Sequence, residues 1–395
     1  MNVAPRMIAD QKLLDEYCDH LRRVGRFAFD TEFIRDDTYH AALCLIQVSD
    51  GEAVTLIDPT ADVDVAGFWS LVCDPAILTI VHAGKEDFEV CLRETGQPPR
   101  NVFDVQVVAG FVGLGYPLSL QRLVSVTLKH RLTKAQTLTD WLRRPLTDDQ
   151  LRYAVEDVQY LPAIHRRFAE DLAKSGRAAW AAEELARFED PATYRPTAQA
   201  RLFRLKGVNR LDGQSLAVLQ KLMEWRDGWA QQRNRPPRAL MRDDVLVEIA
   251  RRRCSRASDL EVLRGFAQAK NRRVVEELLR VIREASATPK ALWPTPMEVR
   301  EEPPMYKAAT DVLSAYLRSV CHDEGVSNDL VGGPQRLREL LDYATGESKD
   351  KPMLLTGWRG EFIGRRLLEL LEGRCALRLV GFPGELHVQA TPVPR

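Results

Sequence analysis

Asp30 and Glu32 stand two residues apart in the run RFAFDTEF (26–33). If that run is a strand, its side chains alternate between faces. Phe27, Phe29 and Thr31 then point one way, and Ala28, Asp30 and Glu32 the other. Two carboxylates on one face repel each other unless a cation lies between them. Oxygen donors of this kind suit Mg2+ or Mn2+ better than zinc. Taken alone, an Asp-x-Glu triplet reads equally well as a strand end reaching solvent. Asp87, in VHAGKEDFEVCL, opens a helix behind an apolar run, where a carboxylate also serves the helix dipole. His82, at the end of that run, fits a core histidine bonded to backbone, or a substrate contact, better than a metal ligand. Tyr153 and Asp157, in QLRYAVEDVQYL, are four apart and share one face of a helix. Singly, none of these elements defines a function.

The elements that must position them are legible as hydrophobic periodicity. RFAFDTEF (26–33), ALCLIQVSD (42–50) and AVTLIDP (53–59) read as three closely connected strands, a meander. A helical stretch through Phe68, Trp69 and Leu71 follows, then the buried strand LTIVHA (78–83) and the helix KEDFEVCLRET (85–95). VFDV (102–105) is a short fifth strand, with Asp104 starting the next helix. The pattern then stays helical, ending in the stretch 146–176, in which Leu151, Ala154, Val155, Val158 and Leu161 supply packing. A meander followed by alternating helices and strands predicts an α/β layer architecture. Pro191 and Pro196 break a polar connection at 177–208. From about 209 to 287 strand signals vanish, and Leu216, Leu219, Leu222, Met223 and Trp225 recur at helical spacing. KALWPTPMEVREEPP (290–304) separates a third piece, helical over 305–374, with a final hairpin at LRLVGFPGELHVQA.

Charge divides the same way. The 395 residues carry 56 basic and 56 acidic side chains, but 1–194 holds 21 Lys and Arg against 30 Asp and Glu. Residues 195–290 reverse this, 22 against 11. An acidic block beside a basic one provides carboxylates for metal and cations for phosphate. Both can equally be solvated surfaces. No apolar run approaches the ~20 residues of a membrane helix, and the N-terminal stretch has no apolar signal core. Seven scattered cysteines without a CxxC predict reduced thiols in a cytoplasmic protein.

Order and context together resemble the DEDD exonucleases, in the branch with tyrosine in the last motif. The matches are DTEF at 30–33, HAGKED at 82–87 and YAVED at 153–157. Over roughly 8–180 the segments FDTEFIRDDTYHAALCLIQVSDG, VHAGKEDFEVC and TDWLRRPLTDDQLRYAVEDVQYLPAI are similar to the ribonuclease D family. The segment LAVLQKLMEWRDGWAQQRNRPPRALMRDDVLVEIARR resembles the HRDC domain, a helical nucleic-acid-binding module, and LLTGWRGEFIGRRLLELLEG (354–373) resembles a second, more divergent copy. The resemblance implies an α/β ribonuclease-H-like exonuclease domain (1–190) followed by all-α HRDC-type helical domains (209–288 and 305–390). It implies that Asp30, Glu32, Asp87 and Asp157 bind two divalent ions. On that resemblance Asp30 would be shared by the two ions, Glu32 and Asp157 would complete the first, and Asp87 would hold the second, through water or directly. Tyr153 is a poor general base at neutral pH, its ordinary pKa being near ~10. Its role is to orient the attacking water.

The expected activity is hydrolysis of RNA from the 3′ end to nucleoside 5′-monophosphates, with tRNA precursors as substrate, by a monomer needing no protein partner. Phe33, Gln47, His82 and the segment from Lys134 to Trp141 are expected along the substrate path, with Asp140 capping the helix of Trp141. Trp225 and Trp229 are expected in or against the helical core. Arg233–Arg238 and Arg251–Arg256 suit backbone binding without sequence preference. Three other readings stay open at this point: a 3′→5′ DNA exonuclease of the same chemistry, a catalytically silent nucleic-acid-binding protein of the same fold, and, more remotely, an unrelated α/β metal phosphohydrolase acting on small molecules.

Overall fold

The computed structural model describes residues 5–34, 38–132, 140–195, 197–266, 268–296, 303–381, 384–385 and 387–393. The chain forms two compact units. The first comprises Met1–Thr31, Leu45–Pro191 and Glu302–Arg395, and the second Glu32–Cys44 with Ala192–Glu301.

A six-stranded mixed sheet organises the first unit. Its strands are β1 (Arg6–Ile8), β2 (Arg26–Ile34), β3 (Ala42–Ser49), β4 (Val54–Ile57), β5 (Leu78–Val81) and β6 (Val102–Asp104), in the order β1-β4-β3-β2-β5-β6. The predicted meander is β2–β3–β4, with β3 and β4 antiparallel, while β5 and β6 run parallel to β2. β1 was not expected; it adds parallel to β4 at the edge. Register decides where chemistry can occur. Ala28 pairs with Ile80, and β5 ends one residue later at Val81. β2 runs on to Ile34, so Asp30 and Glu32 lie on the length of β2 that outreaches its parallel neighbour.

Helices α1 (Gln11–Val24), α2 (Ala66–Val72), α3 (Lys85–Thr95), α4 (Val105–Ala109), α5 (Leu120–Leu128), α6 (Asp148–Gln159), α7 (Leu161–Ser175) and α8 (Ala178–Leu185) complete the N-terminal part. α1 buries Leu14, Tyr17, Cys18 and Leu21, a single apolar stripe. The Asp10 side chain caps its first turn and Gly25, at φ 71°, ends it in the left-handed conformation. The stretch 146–176, expected to be helical, forms two helices. Pro162, in the first turn of α7, has no N–H to give to the preceding turn.

In the second unit, α9 (Ala198–Phe203), α10 (Gly213–Gln232), α11 (Pro237–Leu240), α12 (Asp243–Arg252), α13 (Ala257–Glu261) and α14 (Arg272–Ser286) surround a core of its own, including Leu216, Leu219, Leu222 and Leu278. Trp225 and Trp229 are partly buried against that core, and the Arg233 guanidinium lies 4.7 Å from the Trp229 ring centroid.

The C-terminal helices α15 (Pro304–Glu324), α16 (Asn328–Val331), α17 (Pro334–Thr345), α18 (Gly357–Arg359) and α19 (Arg365–Leu371) precede a hairpin of β7 (Cys375–Val380) and β8 (His387–Pro392). They share the hydrophobic core of the first unit, where Leu313, Leu340 and Trp358 join Val108, Phe111 and Phe168. Arg359 is the joint. It pairs with Glu184 of α8 at 2.6 Å and donates to the carbonyls of Leu330 and Val331, with only 8–9 % of the paired side chains exposed. Among the described residues no helix is long and apolar enough to cross a membrane.

Candidate metal centre

The α6 helix begins with a capping box. Thr147 Oγ1 accepts from the Gln150 backbone N–H, and Gln150 Oε1 accepts from the Thr147 N–H at 2.9 Å. That defined start presents Tyr153 and Asp157 one turn apart, while Ala154 and Val158 are buried. Gln150 Nε2 also donates to the Asp140 carbonyl, which brings the Asp140–Trp141 turn against the helix. The Trp141 ring centroid lies 6.1 Å from that of Tyr153. Arg144 braces the turn from the other side, with a bidentate bond to the buried Asp58 after β4. Burial alone would raise the Asp58 pKa, but the Arg144 and Thr60 hydrogen bonds hold it below the usual carboxylate range.

Asp30, Glu32 and Asp157 come together. Each offers a carboxylate oxygen, and the three oxygens lie within 4.8 Å of one another. Asp157 Oδ2 is buried and has no hydrogen-bond partner in the protein among the described residues. A buried acceptor without a donor, beside two more acceptors, is the arrangement that a cation completes. Burial pushes the Asp157 carboxyl up to about 7; the Tyr153 hydroxyl opposes that by hydrogen bonding, and the Glu156 charge adds to it. An all-oxygen set of this kind fits a hard divalent ion.

Asp87 stands outside that group of three. It lies in the first turn of α3, 6 % exposed, and accepts a short hydrogen bond from the hydroxyl of Thr31, the residue between Asp30 and Glu32. Burial raises its carboxyl to about 6 against that bond. Sequence reasoning overlooked Thr31, whose only signal is its place inside the Asp-x-Glu triplet.

The expected substrate residues separate. Phe33 is partly exposed on β2, one residue past Glu32. His82 is bonded through Nε2 to the Leu118 carbonyl at 2.8 Å, the backbone-bonded alternative of its two readings. It precedes Ala83, whose left-handed φ of 58° is held by the Asp104 carboxylate accepting from the N–H of Ala83 and Gly84. Asp104 also caps α4, as expected. Trp141 is 8 % exposed and packs on Tyr153 instead of lining open space. Gln47 is 0 % exposed, and neither Nε2 nor Oε1 finds a partner among the described residues, so it lies within the core of the sheet. Asp140 accepts from Leu142 N–H in a turn, with no helix at Trp141. Lys134 to Thr139, the rest of the expected substrate segment, lie outside the described residues.

Known proteins resemble the chain along most of its length. Residues 5–173 match the 3′-5′ exonuclease family model, 215–282 the HRDC domain, and 304–367 the C-terminal HRDC domain of ribonuclease D. The ribonuclease D of Granulibacter bethesdensis is 34 % identical over 386 residues, 96 % of this chain and 95 % of that protein. That of Pseudomonas paraeruginosa is 35 % identical, over 92 % of this chain and 97 % of its own. The crystal structure of Escherichia coli RNase D, described as an exoribonuclease involved in structured RNA processing, superposes with a TM-score of 0.82 at 30 % identity, covering 94 % of this chain and 99 % of that one.

Proposed function

The chain belongs to the ribonuclease D family, and on that premise we propose that Asp30, Glu32, Asp87, Tyr153 and Asp157 are the working residues of its catalytic centre. The protein is a 3′→5′ exoribonuclease, a ribonuclease-H-like α/β domain followed by helical HRDC domains, dependent on divalent metal and binding RNA. The observation that carries the residue assignment is the carboxylate group of Asp30, Glu32 and Asp157 with its partnerless buried oxygen.

Asp30, Glu32 and Asp157 would hold the metal, and Asp87, tethered to the same stretch of β2 through Thr31, would complete its surroundings. A bound pair of divalent cations supplies a nucleophile at neutral pH and stabilises the attacking and leaving oxygens of an in-line displacement. The donors are all oxygen, so we assign Mg2+ or Mn2+. The Tyr153 hydroxyl, hydrogen-bonded to Asp157, would orient the attacking water. Trp141 packs on its ring and limits its freedom. Removing one nucleotide at a time from a 3′ end leaves nucleoside 5′-monophosphates.

We read the domains as 1–190, 209–288 and 305–390, and the natural substrate as tRNA precursors with 3′ extensions, handled by a monomer. The basic excess of 195–290 supports backbone contact with structured RNA. A 3′-extended tRNA precursor and a matched DNA strand, each incubated with Mg2+, Mn2+ or EDTA, test this. Stepwise release of 5′-monophosphates from the RNA alone, in either metal and not in EDTA, is expected. Equal digestion of the DNA would move the specificity to the alternative reading, and trimming in EDTA would remove the metal centre.

A further inference from the structure

Cys73, at the end of α2, and Cys91, in the middle of α3, are both free thiols whose Sγ atoms lie 3.5 Å apart. Neither is used by the chemistry above. They differ in setting. Cys91 is 0 % exposed, whereas Cys73 is partly exposed and its sulfur also lies 3.7 Å from Thr95 Oγ1 and 3.8 Å from the Gln97 carbonyl. The Cys91 thiol, donating to Cys73, lowers the Cys73 pKa; Thr95 and the Arg100 charge act the same way, against burial. Hydrogen bonding to Cys73 and burial hold the Cys91 proton in place. One sulfur is thus an accessible, readily ionised nucleophile, and the other a protonated partner at contact distance. That is how an oxidisable thiol and its resolving thiol are arranged.

We propose that Cys73 and Cys91 are a redox modification site, at which a peroxide converts the two thiols into a reversible disulfide that turns the exonuclease down. The Cys73 thiolate attacks a peroxide oxygen; the O–O bond breaks, a sulfenic acid forms, and the released hydroxide takes up the proton the Cys73 thiol had given up and leaves as water. The Cys91 sulfur then attacks Cys73 Sγ, the S–O bond breaks, and a second water carries off the Cys91 proton. Two thiols lose two electrons and two protons, and the peroxide becomes two waters. Dithiol reductants reverse it by exchange. Transient disulfides of this kind suit a reducing compartment.

The link to activity runs along α3, and this half of the inference rests on the role given to Asp87 above. Asp87 lies four residues before Cys91, one turn away on the same face. Closing the sulfurs from 3.5 Å to a bond of about 2.05 Å brings them roughly 1.5 Å closer, a movement shared between α2 and α3. The helix that carries Asp87 to Thr31 must accommodate that pull. A displacement near 1 Å at a catalytic group costs about 10²-fold in rate.

The full-length protein is treated with hydrogen peroxide, digested without reduction, and its peptides are weighed; RNA trimming in Mg2+ is followed on the same samples. The result expected is a linked Cys73–Cys91 peptide two hydrogens lighter than its parts. Activity should fall at least tenfold and return with dithiothreitol, while Cys73→Ser keeps full activity with and without peroxide. Absence of the linked peptide overturns the proposal. So does a linked peptide with unchanged activity, or a loss of activity that persists in Cys73→Ser. If the reduced enzyme does not trim RNA at all, the reading of the metal centre fails, and the peptide mass still decides whether the disulfide forms.

Discussion

Replacing Asp157 with Asn leaves the shape of α6 intact and removes one charge from the carboxylate group. In the metal-free protein that charge is unfavourable: burial lifts the Asp157 carboxyl from an ordinary 3.8 to about 7. Raising a pKa by one is worth ~1.4 kcal/mol between the two protonation states. Ionising this group in the folded chain therefore costs no more than about 4 kcal/mol. The folded pKa is raised, so the group's contribution to stability is complete below pH 4 and is lost as pH climbs through 7. The metal-free Asp157→Asn variant should match the wild type at pH 4, gain on it between pH 4 and 7, and keep a constant lead above. At roughly 2–4 °C per kcal/mol, a lead of several degrees at pH 8 in EDTA is within reach of differential scanning calorimetry. Saturating Mg2+ should then raise the wild-type melting temperature, since the ion binds only the folded state, and barely move the variant. RNA trimming by the variant should drop about 10³-fold, the equivalent of several kcal/mol of lost charge stabilisation. A variant that melts lower than wild type in EDTA at pH 8, or that gains as much from Mg2+, would refute the placement of Asp157 at a cation site.

Other substitutions separate the roles around it. Tyr153→Phe should keep the Mg2+-induced rise in melting temperature yet slow turnover by ~10²-fold or more; unchanged turnover would remove the water-orienting role alone. Thr31→Val should leave the fold in place but weaken the response of activity to Mg2+ concentration, because Asp87 loses its tether to β2; an identical Mg2+ titration would show the tether to be idle. Arg144→Ala strands the buried Asp58 carboxylate and frees the Trp141 turn, which should cost on the order of 3 kcal/mol in urea unfolding and lower activity as well. Glu184→Ala removes the counter-charge of Arg359; roughly 3–5 kcal/mol of destabilisation is expected, visible as faster proteolysis within 303–393, and wild-type protease resistance would show the joint to be dispensable.

The strands of the meander, the helix after LTIVHA and the helix of Tyr153 were all legible because each is a run of local periodicity. β1 was not. Three residues at a sheet edge, paired to β4 through a connection some fifty residues long, leave no alternation to detect. The burial of Gln47 was equally hard to read. β3 is buried on both faces over Cys44–Ser49, so a polar residue there does not mark an open surface.

Residue chemistry and spacing marked the pairs Asp30 with Glu32 and Tyr153 with Asp157, and the family resemblance joined them into one set of hard-cation ligands. Side-chain alternation along a strand puts Asp30 beside Glu32, and helical pitch puts Tyr153 beside Asp157. Such relations follow from backbone geometry and need no partner. What the sequence could not decide were the meetings between elements: Asp157 against β2, Thr31 on Asp87, Cys73 facing Cys91, and Glu184 under Arg359. The last ties the C-terminal helices to the hydrophobic core they share with the exonuclease domain. These contacts depend on strand register and on how helices pack over the sheet. Those are properties of the whole chain's burial of its apolar surface, and no local pattern encodes them.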